Sequence, residues 1–254
     1  MMDTERRTLR VVGALFVVAT VASILGSMVL GSALEGQNYL IGLTDEATSV
    51  DVAVLLFLLA ATAAFATAVL LLPILRPHAE GLAAGYVGLR TFENVLYVAG
   101  AVSLLVMLSV SQDEGIRGAS ASEAPMLGTT LLAMHTWSVT IGTLIFAGLG
   151  SLTLNYVLYR ATLVPRWLSG WGIAAAVLLV SYGVIGVFGG NVGTDSPLML
   201  LAMPIAVEEM VFAVWLIAKG FEVPGSTRMT NHRHYRMASP LTAAGRSERW
   251  NGHS

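Results

Sequence analysis

The residue types best suited to chemistry sit where water is scarce. Arg90, Glu93 and Asn94 lie inside the apolar run 82–109, flanked by Tyr86 and Tyr97, and Glu208 and Glu209 interrupt a second apolar run at 197–219. On a helix, residues three, four and seven apart share a face. Tyr86, Arg90, Glu93, Asn94, Tyr97 and Gly100 therefore form one polar stripe on an otherwise greasy rod. A guanidinium facing carboxylates in oil can lock two helices together, bind a polar solute or hand on a proton. Such a stripe must face protein or water, because hydrocarbon solvates no charge.

Depth and cost both point to a partner for that stripe. At 1.5 Å per residue, Glu93 lies roughly 16 Å in from Leu82, and Glu209 roughly 15 Å in from Lys219. Arg and acidic residues at a helix centre oppose insertion by roughly 2.5–3.5 kcal/mol each, while Leu, Val or Phe favour it by roughly 0.3–0.6. The apolar residues of the 82–109 run about cancel Arg90 plus Glu93, so that helix needs a neighbour. The 197–219 run, with charge at matched depth, is the expected one. Glu208 and Glu209 are consecutive and point about 100° apart, so only one of them can face Arg90 squarely. Pro204 leaves a backbone carbonyl unpaired one turn earlier, as happens where a helix lines protein or a cavity. One Arg against three Glu buries net negative charge, so at least one Glu is expected to be protonated or to touch water.

Other polar residues have plainer readings. Asn94 is expected to donate a hydrogen bond between helices, and Tyr86 and Tyr97 to fill space and cap polar groups. His135, beside Thr136 and Ser138 near one end of its span, is expected to be solvated. Glu208-Glu209 is spaced as in the Glu-Glu-x-x-x-Arg motif of intramembrane prenyl-protein proteases, but the Arg position is Ala213. There is no Gly-x-Ser-x-Gly elbow, His-Glu-x-x-His pair or phosphate loop. With no cysteine in the chain, disulfides, thiolate metal sites and cysteine lipidation are excluded. No catalytic residue, metal site or cofactor is expected.

The elements that position these residues follow from composition. Of 254 residues, 55% are hydrophobic and 12% charged, and mean hydropathy is +0.72. A soluble domain carries about a quarter charged residues. Apolar stretches of ~20 residues predict an all-α, polytopic membrane helix bundle with six spans, at about 11–33, 52–75, 82–109, 137–159, 167–188 and 197–219. The first run is longer than the ~7–15 residues of a signal-peptide core, so it is read as an uncleaved span. Ser23, Ser27 and Gly31 make a small-residue ridge along it. Residues 126–136 precede the fourth span as an interfacial or projecting helical part. Residues 1–10 are polar, and residues 220–254 read as a disordered basic tail.

Orientation is a matter of counting. Twelve of the fourteen Lys and Arg fall in the N-terminus, the 76–78 turn, the 160–166 link and the tail, whereas eight of sixteen acids fall in the loops between. The positive-inside rule then predicts a plasma-membrane protein with both termini cytoplasmic. Tyr156, Tyr159, Trp167, Trp171 and Trp215 cluster near the same helix ends, as an aromatic belt does. Membrane lipid is the expected partner, along with a small solute or proton. Nucleic acid is excluded by the want of a soluble basic domain.

Three stretches resemble a bacterial and archaeal multipass family known as domain of unknown function four-three-eight-six. They are Gly88-Leu-Arg90-Thr-Phe-Glu93, then Leu158-Tyr-Arg160-Ala-Thr-Leu-Val-Pro165-Arg166-Trp-Leu168, and Glu209-Met-Val-Phe-Ala-Val-Trp215-Leu-Ile-Ala-Lys219-Gly220. In order and spacing they cover about residues 8–221. The resemblance implies a helical membrane protein without an assigned activity and singles out Arg90, Glu93 and Glu209, with Glu208 an extra acid. The leading expectation is a midplane polar layer that binds or passes a small solute or proton. The alternatives are a membrane-embedded interaction or signalling protein locked by an ion pair, and a lipid-modifying enzyme using a Glu as base.

Overall fold

The structure, a computed structural model, describes residues 2–33, 43, 44, 46–112, 123–190 and 196–221. The expected basic tail beyond 221, and parts of the two acidic loops, lie outside the described residues. Among the described residues all regular structure is helical. The helices are α1 (Met2–Ala33), α2 (Ala47–Leu75), α3 (Glu80–Gln112), α4 (Glu123–Thr140), α5 (Gly148–Ala161), α6 (Arg166–Val187) and α7 (Met203–Ala218). A π-helical segment, Ile141–Ala147, joins α4 to α5, and a 3-10 segment, Pro197–Leu201, precedes α7. Six stretches are long and apolar enough to cross a membrane, the fourth running without a break from Met126 to Ala161. The chain is a multipass, all-α membrane protein.

The breaks follow local chemistry. α5 ends where Thr162 takes a left-handed conformation, and Pro165, which has no N–H to leave unpaired, caps α6. α7 ends where Gly220, at φ +73°, turns back so that its N–H donates to the Trp215 carbonyl. That is the position where glycine best tolerates the left-handed backbone. Pro204 does not kink a continuous helix. It falls in the first turn of α7, where helix N–H groups have no partner in any case, and the switch from 3-10 to α-helix occurs just ahead of it.

Packing closes the bundle into a ring. α1 lies against α2, α2 against α3, α3 against α4, the π segment and α5, α5 against α6, and α6 against α7, which returns to α1. At one end a core of Leu9, Leu75, Leu163, Val164, Leu168 and Leu216 ties together α1, α2, the α5–α6 link and α7. Cations and rings gather at this end too. Arg160 lies over Tyr156, Arg166 over Tyr159, and Lys219 4.1 Å from the Trp215 ring. The other end is held by a separate cluster of Leu30, Val50, Val54, Phe57, Leu104 and Met107.

Candidate functional site

α3 carries the site because its polar residues alternate by four and three. Tyr86, Arg90 and Glu93 are buried on its inner face, with Tyr97 half-buried below Gly100 on the same stripe. The Arg90 Nη1 donates to both oxygens of Glu93, at 2.9 and 3.1 Å, one turn along the same helix. Its Nη2 stands 3.6 Å from Glu209 Oε1 on α7. That is an ion pair but too long for a hydrogen bond. The rings of Tyr86 and Phe16 lie 5.7 and 6.0 Å from the guanidinium carbon, adding the attraction between a cation and a π face. Arg90 is 4% and Glu93 7% exposed, whereas the Glu209 side chain keeps 24% of its surface open. Glu93 is therefore the fixed counter-charge and Glu209 the loose one.

Hydroxyls surround this layer. Ser151 Oγ reaches Glu209 Oε1 at 3.4 Å. Thr143 Oγ1 donates to the Tyr97 hydroxyl at 3.1 Å, and the Tyr97 and Ser23 hydroxyls pair at 3.3 Å. Together with Arg90, Glu93 and Glu209 they line a cavity of about 250 Å³ at the centre of the bundle, to which all six spans contribute. Its remaining walls are small or apolar, among them Phe16, Ala60, Ala61 and Leu179.

The two consecutive acids of α7 part company, as the helical 100° step requires. Glu209 faces Arg90, while Glu208 is 1% exposed and turned into the seam with α5. Asn155 of α5 is its polar neighbour there. Glu208 Oε1, Asn155 Oδ1 and Ser169 Oγ have no hydrogen-bond partner among the described residues. Asn155 Nδ2 donates to the Ser151 carbonyl, which connects this seam to the cavity wall through the backbone of α5.

Two expected roles are corrected. Asn94 does not bridge helices: its Nδ2 donates to the Arg90 carbonyl at 2.6 Å, back along its own helix. It sits about 100° around from Glu93, on the flank beside Phe65, Thr91 and Val98, so it leaves the polar layer. His135 is not solvated. It is 7% exposed, its Nδ1–H donates to the Gly100 carbonyl at 3.0 Å, and its ring packs 5.8 Å from Phe57. Lacking a side chain, Gly100 lets α4 approach that closely; an added Cβ would meet Val139 at 3.1 Å.

The sequence marks Ser23 only as part of a packing ridge and gives Thr143 and Ser151 no role in the site. Serine and threonine are common in spans, where they bond back to their own helix, so type alone gives no signal. Thr143 lies in the π segment, whose extra residue per turn shifts the inward face away from helical spacing. Ser23 belongs to the small-residue ridge on α1, and its partner Tyr97 could have been named only with the packing in hand.

A family model described as "Domain of unknown function (DUF4386)" matches residues 11–220. Neither the curated proteins nor the solved structures contain a match.

Proposed function

From the premise that the chain belongs to the family described as domain of unknown function (DUF4386), we propose that its midplane cavity binds a small cationic solute or a proton and passes it through the membrane. The observation that carries this is the imbalance of charge on one cavity wall. A single guanidinium, Arg90, faces two carboxylates, Glu93 and Glu209, which leaves one formal negative charge in a low-dielectric place. A cation or a proton balances it. Glu209 is the group that takes it up, because it is held loosely and is the more open of the two. Ser23, Tyr97, Thr143 and Ser151 supply neutral donors and acceptors around the same space. At about 250 Å³ the cavity is below the roughly 300–1,000 Å³ of drug-sized pockets, which suits a solute of few atoms.

The protein's place follows from the same physics. We assign it to the plasma membrane with both termini in the cytoplasm. The end that gathers Arg76, Arg160, Arg166 and Lys219 with the tyrosine and tryptophan rings is then the inner one. A second reading, a structural lock, is favoured by the boxed-in guanidinium between Phe16 and Tyr86. It demands no ligand.

Purified protein in liposomes loaded with a pH-reporting dye separates the two. A proton- or small-amine-dependent signal that disappears in Glu209→Gln, with the variant still folded, supports the solute site. A full signal in Glu209→Gln refutes it. A lock alone gives no signal in either protein and a lower melting temperature in the variant.

A further inference from the structure

We propose that the cavity is loaded sideways, from the lipid phase, through a cleft between α1 and α7, and that its ligand is a single-chain amphiphile with an ammonium head. This rests on the cation site just described and adds to it the ligand class and its route.

α1 and α7 meet closely at one level and pack on different helices at another. On the inner side of the cavity they are in close contact. An added Cβ on Gly13 would stand 2.7 Å from the Ala213 carbonyl, and the Phe16 and Phe212 rings meet edge to face at 5.6 Å. Beyond that ring pair each helix turns to a different neighbour. Gly26 of α1 lies against Phe57 of α2, and Leu30 joins the cluster of Val50 and Val54. Ile205 of α7 packs with Leu179 and Tyr182 of α6. Above Phe16 and Phe212 the packing of α1 is thus with α2 and that of α7 with α6, and the proposed cleft lies at this level.

The exposed part of the cavity lining falls at that level. Of the residues lining it, Ile24 and Ala206 are the exposed ones, Ile24 at 54%, and they stand on α1 and α7. Ile24 lies eight residues past Phe16, a rise of about 12 Å, so the mouth falls within the ~30 Å hydrocarbon layer. A molecule entering there comes from lipid. Its tail remains beside Ile24, and its head reaches Glu209 and the hydroxyls of Ser23 and Ser151. The head is cationic because the wall carries surplus carboxylate. The same carboxylates repel a phosphate or a fatty acid head, and a cavity of about 250 Å³ takes a bare ammonium head but not the branched glycerol backbone that joins two chains.

The test uses the full chain in nanodiscs and three photoreactive probes with a diazirine next to the head group: dodecylamine, butylamine and dodecanoate. The labelled peptides are read by mass spectrometry. Dodecylamine is expected to label α1 and α7 around Ile24 and Ala206. Labelling should fall about tenfold or more in Glu209→Gln, and also in Ala206→Trp, which fills the mouth, with melting temperature showing both variants folded. Butylamine labelling equal to that of dodecylamine, and unaffected by Ala206→Trp, would overturn entry from lipid while leaving the cation site standing. Preferential labelling by dodecanoate would overturn the ammonium head. No cavity labelling by either amine would overturn this proposal and leave the proton as the cation of the site.

Discussion

Arg90 and Glu209, from the third and the last spans, face each other at 3.6 Å across the wall of a central cavity. Their separation matters as much as their meeting. Arg90 is already bonded to Glu93 of its own helix, so it enters the bundle with a counter-charge and meets Glu209 as a second partner. The pair within α3 makes the charge bearable in oil, and the pair across to α7 joins the ring.

Removing the guanidinium should therefore cost more than removing either acid. In Arg90→Met the buried Glu93 and the half-buried Glu209 are left without a cation, and breaking a buried pair from one side costs about 3–5 kcal/mol. The expected outcome is a sharply lower melting temperature in detergent or nanodiscs. Arg90→Lys should recover much of the loss but not all, because an ammonium cannot span both carboxylates as a planar fork does. A melt for Arg90→Met equal to wild type would show that the layer is wet throughout.

The seam between α5 and α6 offers a cleaner packing test. A Cβ on Gly172 would run into the Asn155 amide, so Gly172→Ala should destabilise the protein by about 1–3 kcal/mol, as overpacking does. Asn155→Ala, made in the same chain, opens the space and should restore part of the loss. Thermal melts of the two single variants and the double variant measure this, and equal loss in the double variant would exclude the clash as the cause.

Much of this was legible before any coordinates. The apolar runs located six spans because lipid requires helices of nearly fixed length. The four-three spacing on α3 brought Tyr86, Arg90, Glu93 and Tyr97 to one face. What the residues hid was set by departures from ideal spacing and by partners distant in sequence. Asn94 fits a broad stripe but lies at its edge, where its Nδ2 bonds back to its own helix and its Oδ1 has no partner among the described residues. His135 near a span end looks wet until Gly100, 35 residues away, gives its ring a carbonyl to donate to. Thr143 enters the cavity through a π segment that no periodicity of 3.6 reveals.

That π segment gives a further expectation. Deleting Ile141 takes out the residue that the π turn accommodates, so the segment rewinds as α-helix while α4 and α5 keep their facing. The His135–Gly100 hydrogen bond should survive, and hydrogen exchange across α4 should stay unchanged. Raised exchange across α4 would mean that the segment keeps its π winding and turns α4 away from α3.

The contact between the third and last spans is measured most directly by a double-mutant cycle. Thermal or denaturant stability is determined for wild type, Arg90→Met, Glu209→Gln and the double variant. Side chains that meet across the cavity should show a coupling of about 0.5–3 kcal/mol, with the double variant losing less than the two single losses together. Losses that add to within about 0.3–0.5 kcal/mol would mean that Arg90 and Glu209 do not sense each other, and the midplane layer would be contradicted.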